Sequence, residues 1–101
     1  MAVLAIFTGN SVTKEMYDKL RADVNWEGIK AEGGIIHIAA FDATNNARVA
    51  DVWESPEAMN KFVETRLMPA MKKLGVPPPK VEVYPAHNIN ALEAVKKYIL
   101  K

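Results

Sequence analysis

Residues 33–55 read GGIIHIAAFDATNNARVADVWES, and this stretch decides the fold. Two runs, residues 35–41 and 48–53, are rich in β-branched, aromatic and small apolar residues. They flank the polar connection Asp42-Ala43-Thr44-Asn45-Asn46. Apolar runs of strand period on either side of an Asn-rich turn predict a β-hairpin. Pairing Asp42 with Arg48 sets opposite charges across the strands beside the turn. That register puts Phe41 against Val49, Ala39 against Asp51 and His37 against Trp53. One face then carries Ile35, His37, Ala39, Phe41, Val49, Asp51 and Trp53, and the other Ile36, Ile38, Ala40, Ala50 and Val52. A one-residue slip would separate His37 from Trp53.

Both faces of this hairpin are largely apolar. A small antiparallel sheet ordinarily leaves one face in water and alternates apolar with polar residues. The aliphatic face with its alanines suits packing against helices. The mixed face, with an imidazole, a carboxylate and an indole, then needs a cover that so short a chain hardly supplies. A partner subunit is the expected cover.

Working outward, residues 2–7 form a short apolar run closed by Thr8-Gly9-Asn10, which reads as a buried strand. Ser11 and Thr13 offer caps for a helix from about Lys14, with Met16, Tyr17, Leu20 and Val24 as its apolar stripe. Asn25-Trp26-Glu27-Gly28 ends it, and the paired glycines Gly33-Gly34 ease entry into the hairpin. Ser55-Pro56-Glu57 is a strong helix start: a capping serine, a proline at the first turn and an acid facing the dipole. The stripe that follows runs through Met59, Phe62, Val63, Leu67, Ala70, Met71 and Leu74. Pro69 lies inside it, removes a hydrogen bond and clashes with the carbonyl of Thr65, so a kink or break is expected near Leu67–Met68. Gly75 closes the helix, Pro77-Pro78-Pro79 is a stiff connector and residues 80–84 alternate as a fourth strand. Asn90 with Glu93 three residues on resembles a capping box and predicts a last helix with Leu92, Val95 and Ile99 on one face.

The order is β-α-β-β-α-β with an extra C-terminal helix: an α+β ferredoxin-like sandwich with an antiparallel sheet ordered 4-1-3-2. An exposed apolar sheet face marks an association site, and two such sheets face to face make a dimeric α+β barrel.

Totals bound the function. At 101 residues the chain is read as one domain spanning 1–101, and a net charge of +1 without runs of one sign argues against a nucleic-acid partner. The absence of cysteine removes thiol nucleophiles and thiolate metal sites. The opening MAVLAIFTGN has no basic leader, and no apolar run approaches the ~18 residues of a membrane span, so a cytoplasmic protein without a membrane partner is expected.

Asp51-Val52-Trp53-Glu54-Ser55, the Gly33-Gly34 pair before the second strand and the element order across about residues 2–88 together resemble the dimeric α+β barrel superfamily, and within it the antibiotic-biosynthesis-monooxygenase-like group. Pro69, the triple proline, the YPAHN segment and the last helix depart from the common pattern of that group. The resemblance implies a homodimer and a family that includes cofactor-free monooxygenases of aromatic polyketides, haem-degrading oxygenases and small isomerases.

Among residues that carry chemistry, His37 stands out in mid-strand, where an imidazole needs a partner. It is either a cavity acid/base or a packed histidine bonded to backbone or to a tyrosine. Asp51 on the same face either holds the His37 tautomer or pairs with Arg48 or Arg66. These two form the candidate catalytic pair. Trp53 is core or a wall for a flat ligand; Phe7, Phe41, Tyr17 and Phe62 are expected to line the same space, and Phe7, Phe41, Phe62 and His87 are the candidate substrate-binding residues beside it. No metal site is expected, since His37, His87 and Asp51 are scattered, and haem is disfavoured because the second helix has no histidine. The expected function is a cofactor-independent monooxygenase acting on a small aromatic or hydrophobic molecule. The alternative is a non-catalytic dimer that binds a ligand or only assembles. A pocket of about 300 Å³ or more beside His37 and Trp53 favours catalysis or ligand binding, and a filled, dry core there favours assembly alone.

Overall fold

The computed structural model describes residues 1–100. The chain runs through β1 (Val3–Gly9), α1 (Lys14–Val24), β2 (Gly34–Phe41), β3 (Ala47–Trp53), α2 (Pro56–Phe62), a π-helical segment (Val63–Leu67), α3 (Met68–Leu74) and β4 (Lys80–Pro85), ending in a 3-10 helix (Glu93–Tyr98). The strands form one antiparallel sheet in the order β2-β3-β1-β4, the expected ferredoxin-like arrangement. Local chemistry sets the helix ends. Thr13 accepts from the Met16 amide and Ser55 from the Ala58 amide, while Asn25 and Gly75 close α1 and α3 in left-handed conformation.

The hairpin register differs from the expected one by two residues. His37 lies opposite Asp51, Ala39 opposite Val49 and Phe41 opposite Ala47. The cause is the turn. Asp42 and Asn46 close a three-residue loop, the Asn45 amide donates to the Asp42 carbonyl, and Asn45 takes a left-handed φ of 63°. The Asp42 carboxylate receives the amides of Thr44 and Asn46 and still reaches Arg48 at 2.9 Å, so that ion pair forms diagonally. An even shift keeps every side chain on its face. Further along, a bulge at Ile35 lets Gly34 pair with Trp53.

The role of the two faces is the reverse of the expected one. The mixed face lies under the helices: Tyr17 of α1 bonds His37, and Phe62 of α2 packs on Trp53 at 5.3 Å between ring centroids. Its neighbours across the sheet are Val3, Ala5 and Phe7. The aliphatic face, with Leu4, Ile6, Ile36, Ile38, Ala50 and Val52, carries no helix, and Ile38 is 55% exposed. Both faces being apolar, polarity alone did not distinguish them. The aromatic side chains went where helices offered matching rings.

Pro69 does not break the helix. The backbone stays right-handed from Phe62 to Met68, and the Met68 amide reaches back five residues to the Val63 carbonyl. The wider π turn accommodates the proline two residues after its end without interrupting the helical backbone. The C-terminal segment forms a 3-10 helix capped by Leu92 without a side-chain bond, in place of the expected α-helix. Leu92, Val95 and Ile99 are exposed. Without apolar burial, six residues are too few to hold an α-helix.

Candidate functional site

Three side chains from three elements meet under the helices. Asp51, in β3, is buried and 8% exposed. Its Oδ1 lies 2.6 Å from Nδ1 of His37 across the hairpin, and Nε2 of His37 lies 2.7 Å from the Tyr17 hydroxyl on α1. With Asp51 as a carboxylate, Nδ1–H donates to it, and Nε2 is left to accept from the Tyr17 O–H. Of the two readings for Asp51, the His37 partnership is the one formed. Arg48 goes to Asp42, and Arg66 goes elsewhere. A buried acid thus finds its partner in a strand neighbour directly opposite.

An aromatic box fixes Tyr17. Trp26 sits 5.6 Å from its ring, Phe41 meets it edge-on at 5.6 Å, and Trp26 also lies 5.0 Å from the His37 ring. Burial pushes the Tyr17 phenol well above its ordinary range, with the charge of Glu27 adding to the effect. The phenol therefore stays protonated and remains a donor.

Trp26 belongs to the irregular stretch 25–33, which Arg66 ties down. The Arg66 guanidinium donates to the carbonyls of Val24 at 3.0 Å and Ile29 at 2.6 Å, and stacks on Phe62 at 5.1 Å. Arg66 is in the π turn, so the widened helical segment supports the wall of the site. The indole N–H groups of Trp26 and Trp53 are buried without a hydrogen-bond partner, an uncommon condition for a donor.

A cavity of about 260 Å³ lies between sheet and helices, its wall including Phe7, Tyr17, Trp26, His37, Trp53 and Phe62. The volume falls a little short of the roughly 300–1,000 Å³ of drug-sized pockets. A dry cavity of about 150 Å³ takes a benzene ring, so this one has room for roughly two or three fused rings. Of the sequence candidates, His37, Asp51, Trp53, Phe7 and Phe62 border it. Phe41 lies behind Tyr17, outside the lining, and His87 is exposed beyond the end of β4, away from the site. Tyr17, expected from the sequence to line the same space, joins it as the second partner of His37, and Trp26 is the member that sequence reading did not place there. Among the described residues, no three of His, Cys, Asp or Glu gather as a metal site.

The sequence matches no family model and no curated protein. Solved structures match along nearly the whole chain. A conserved protein from Methanosarcina mazei superposes with a TM-score of 0.64 at 11% identity, covering 83% of this chain and 91% of that one. A protein named as a candidate antibiotic biosynthesis monooxygenase from Chloroflexus aurantiacus gives a TM-score of 0.63 at 15% identity, covering 89% and 98%. SnoaB, a cofactor-independent oxygenase from Streptomyces nogalater, gives 0.62 at 12% identity, covering 87% and 94%. The chain therefore has the ferredoxin-like α+β fold that these solved structures share.

Proposed function

We propose that this chain is a cytoplasmic, homodimeric oxidoreductase that oxidises a small aromatic or hydrophobic molecule in the cavity beside His37, without a cofactor. One observation carries the reading: a carboxylate-bonded imidazole stands in the wall of an apolar cavity sized for a few fused rings. Chemistry of this kind needs a base that removes a proton from an acidic substrate. The resulting carbanion reacts with dioxygen, and loss of water from the peroxide leaves a new carbonyl. The imidazole with its carboxylate is such a base, and the apolar walls keep the anion from water. The likeness to SnoaB and to proteins named for antibiotic biosynthesis supports the same class of chemistry.

The dimer forms through the helix-free sheet face, whose isoleucines and valines are suited to a second copy. Among the described residues, no helix is long and apolar enough to cross a membrane.

The test is oxygen uptake with an anthrone or a quinol, with no flavin or metal added. Wild type is expected to consume oxygen, and His37→Ala to lose that activity while remaining a folded dimer. Equal uptake per folded molecule by both proteins would discard the base assignment. A second reading, a dimer that binds its ligand without turning it over, is favoured by one observation: both ring nitrogens of His37 are already engaged. Tight binding of the same compounds with no uptake by wild type would establish it.

A further inference from the structure

His37 has no free nitrogen to offer a ligand. Nδ1 is bonded to Asp51 at 2.6 Å and Nε2 to the Tyr17 hydroxyl at 2.7 Å. Tyr17, itself buried, is the end member of the hydrogen-bonded series and borders the cavity. The two rings lie parallel to within 4°, with centroids 6.1 Å apart, and the 2.7 Å between oxygen and Nε2 is the length of a sound hydrogen bond. It projects from a capped helix and is wedged between Trp26 and Phe41, so it holds its direction without reorganising.

We infer that Tyr17, rather than His37, is the group that touches the substrate, and that Asp51, His37 and Tyr17 act as a proton relay for a neutral carbon acid or phenol. The inference rests on the proposed function and assigns its reacting atom. In the step, a substrate C–H bond breaks and its electron pair stays on carbon, spreading onto an adjacent carbonyl oxygen as an enolate. The substrate proton passes to the Tyr17 oxygen while the Tyr17 hydroxyl proton passes to Nε2. Tyr17 is neutral before and after. His37 becomes an imidazolium beside the Asp51 carboxylate, so the negative charge formed on the substrate is balanced within the site. A free tyrosinate is never required, which suits a phenol that burial keeps protonated.

Neutrality of the substrate follows from the charges present. Among the lining residues the charged side chains besides His37 are Asp51, already engaged, and Lys30, which is exposed. Among the described residues, no buried cation lines the cavity to hold an anionic ligand. A neutral ligand whose charge appears only after proton transfer fits these walls.

Deuterium uptake at the methylene of anthrone, in D2O without oxygen, isolates the proton step from oxidation. Wild type is expected to speed the exchange above the buffer rate. Tyr17→Phe keeps the ring and its packing, so it is expected to bind anthrone within a few-fold of wild type yet lose the exchange by on the order of 100-fold. His37→Gln is expected to lose it as well. The ¹⁵N resonance of His37 Nε2 is expected to move in Tyr17→Phe, as it gives up an accepted hydrogen bond.

Exchange by Tyr17→Phe within threefold of wild type would overturn the assignment and return the role to His37. So would a wild type that gives no exchange above buffer, or an Nε2 resonance indifferent to the substitution. Tyr17-dependent exchange without oxygen uptake in air would instead uphold the relay and discard the oxygenase reading.

Discussion

His37 and Asp51 stand directly opposite one another on β2 and β3, with 2.6 Å between Nδ1 and Oδ1. The pair is cross-strand, so it costs the chain little more than the hairpin already fixes. Asp51→Ala removes the acceptor and orphans the imidazole. A loss of ~1–3 kcal/mol is expected, and a melting temperature lower by several degrees in calorimetry. An unchanged melting temperature would mean that the pair contributes nothing to the fold.

Arg66→Ala releases the carbonyls of Val24 and Ile29. Stability is expected to fall by ~1–3 kcal/mol, and amide exchange across residues 25–33 to accelerate more than that of the sheet. Uniform acceleration over the whole chain would show that Arg66 supports the fold at large and not the wall carrying Trp26.

Gly33→Ala meets two obstacles. Gly33 has a φ of +82°, and an added Cβ would stand 2.6 Å from that of Ala58. A loss of about 2 kcal/mol or more is expected from strain and overlap together, read as a lower urea midpoint at constant slope.

Ile38→Glu puts a carboxylate on the helix-free face, where Ile38 is 55% exposed. Fold stability of the single chain should hardly change, because the site is open. Association should weaken by at least tenfold, with sedimentation at micromolar concentration moving from dimer toward monomer. A dimer unaffected by this substitution would place the interface elsewhere.

Alkaline pH tests Tyr17. Its phenol is raised above the ordinary value of 10.0 in the folded chain, chiefly by burial. Above pH ~10 the unfolded chain gives up this proton while the folded chain keeps it, so ionisation favours unfolding and stability declines as pH rises. Below that pH the group is protonated in both states and the contribution is constant. Urea midpoints measured from pH 8 to 11 should fall for wild type and fall less for Tyr17→Phe.

The element order was legible because caps, prolines and periodicity agree along the chain. Which residues share the His37 face was legible too, since the register error was even and left the faces intact. The turn was misjudged because Asn45, not a glycine, supplies the left-handed residue. The covered face was misjudged because its opposite is equally apolar. Trp26 was out of reach for another reason. It joins the site by packing on the Tyr17 and His37 rings from the irregular stretch after α1, where no periodic pattern sets a side chain's direction. His87 entered the list as a polar residue near a strand end, and the chain simply leads it away.

The π turn also sets the rotational phase of the helix. Before it, Met59 serves the cluster around Val3, Ala5 and Trp53; after it, Ala70 and Met71 serve the one around Val12, Leu20 and Ala47, and Phe62 packs against both. Each helical residue turns the side-chain direction by about 100°. Deleting one residue from Val63–Leu67 would thus do more than tidy the helix. It would swing Ala70 and Met71 off their cluster, so the length of this helix is fixed by the packing on both sides of the turn.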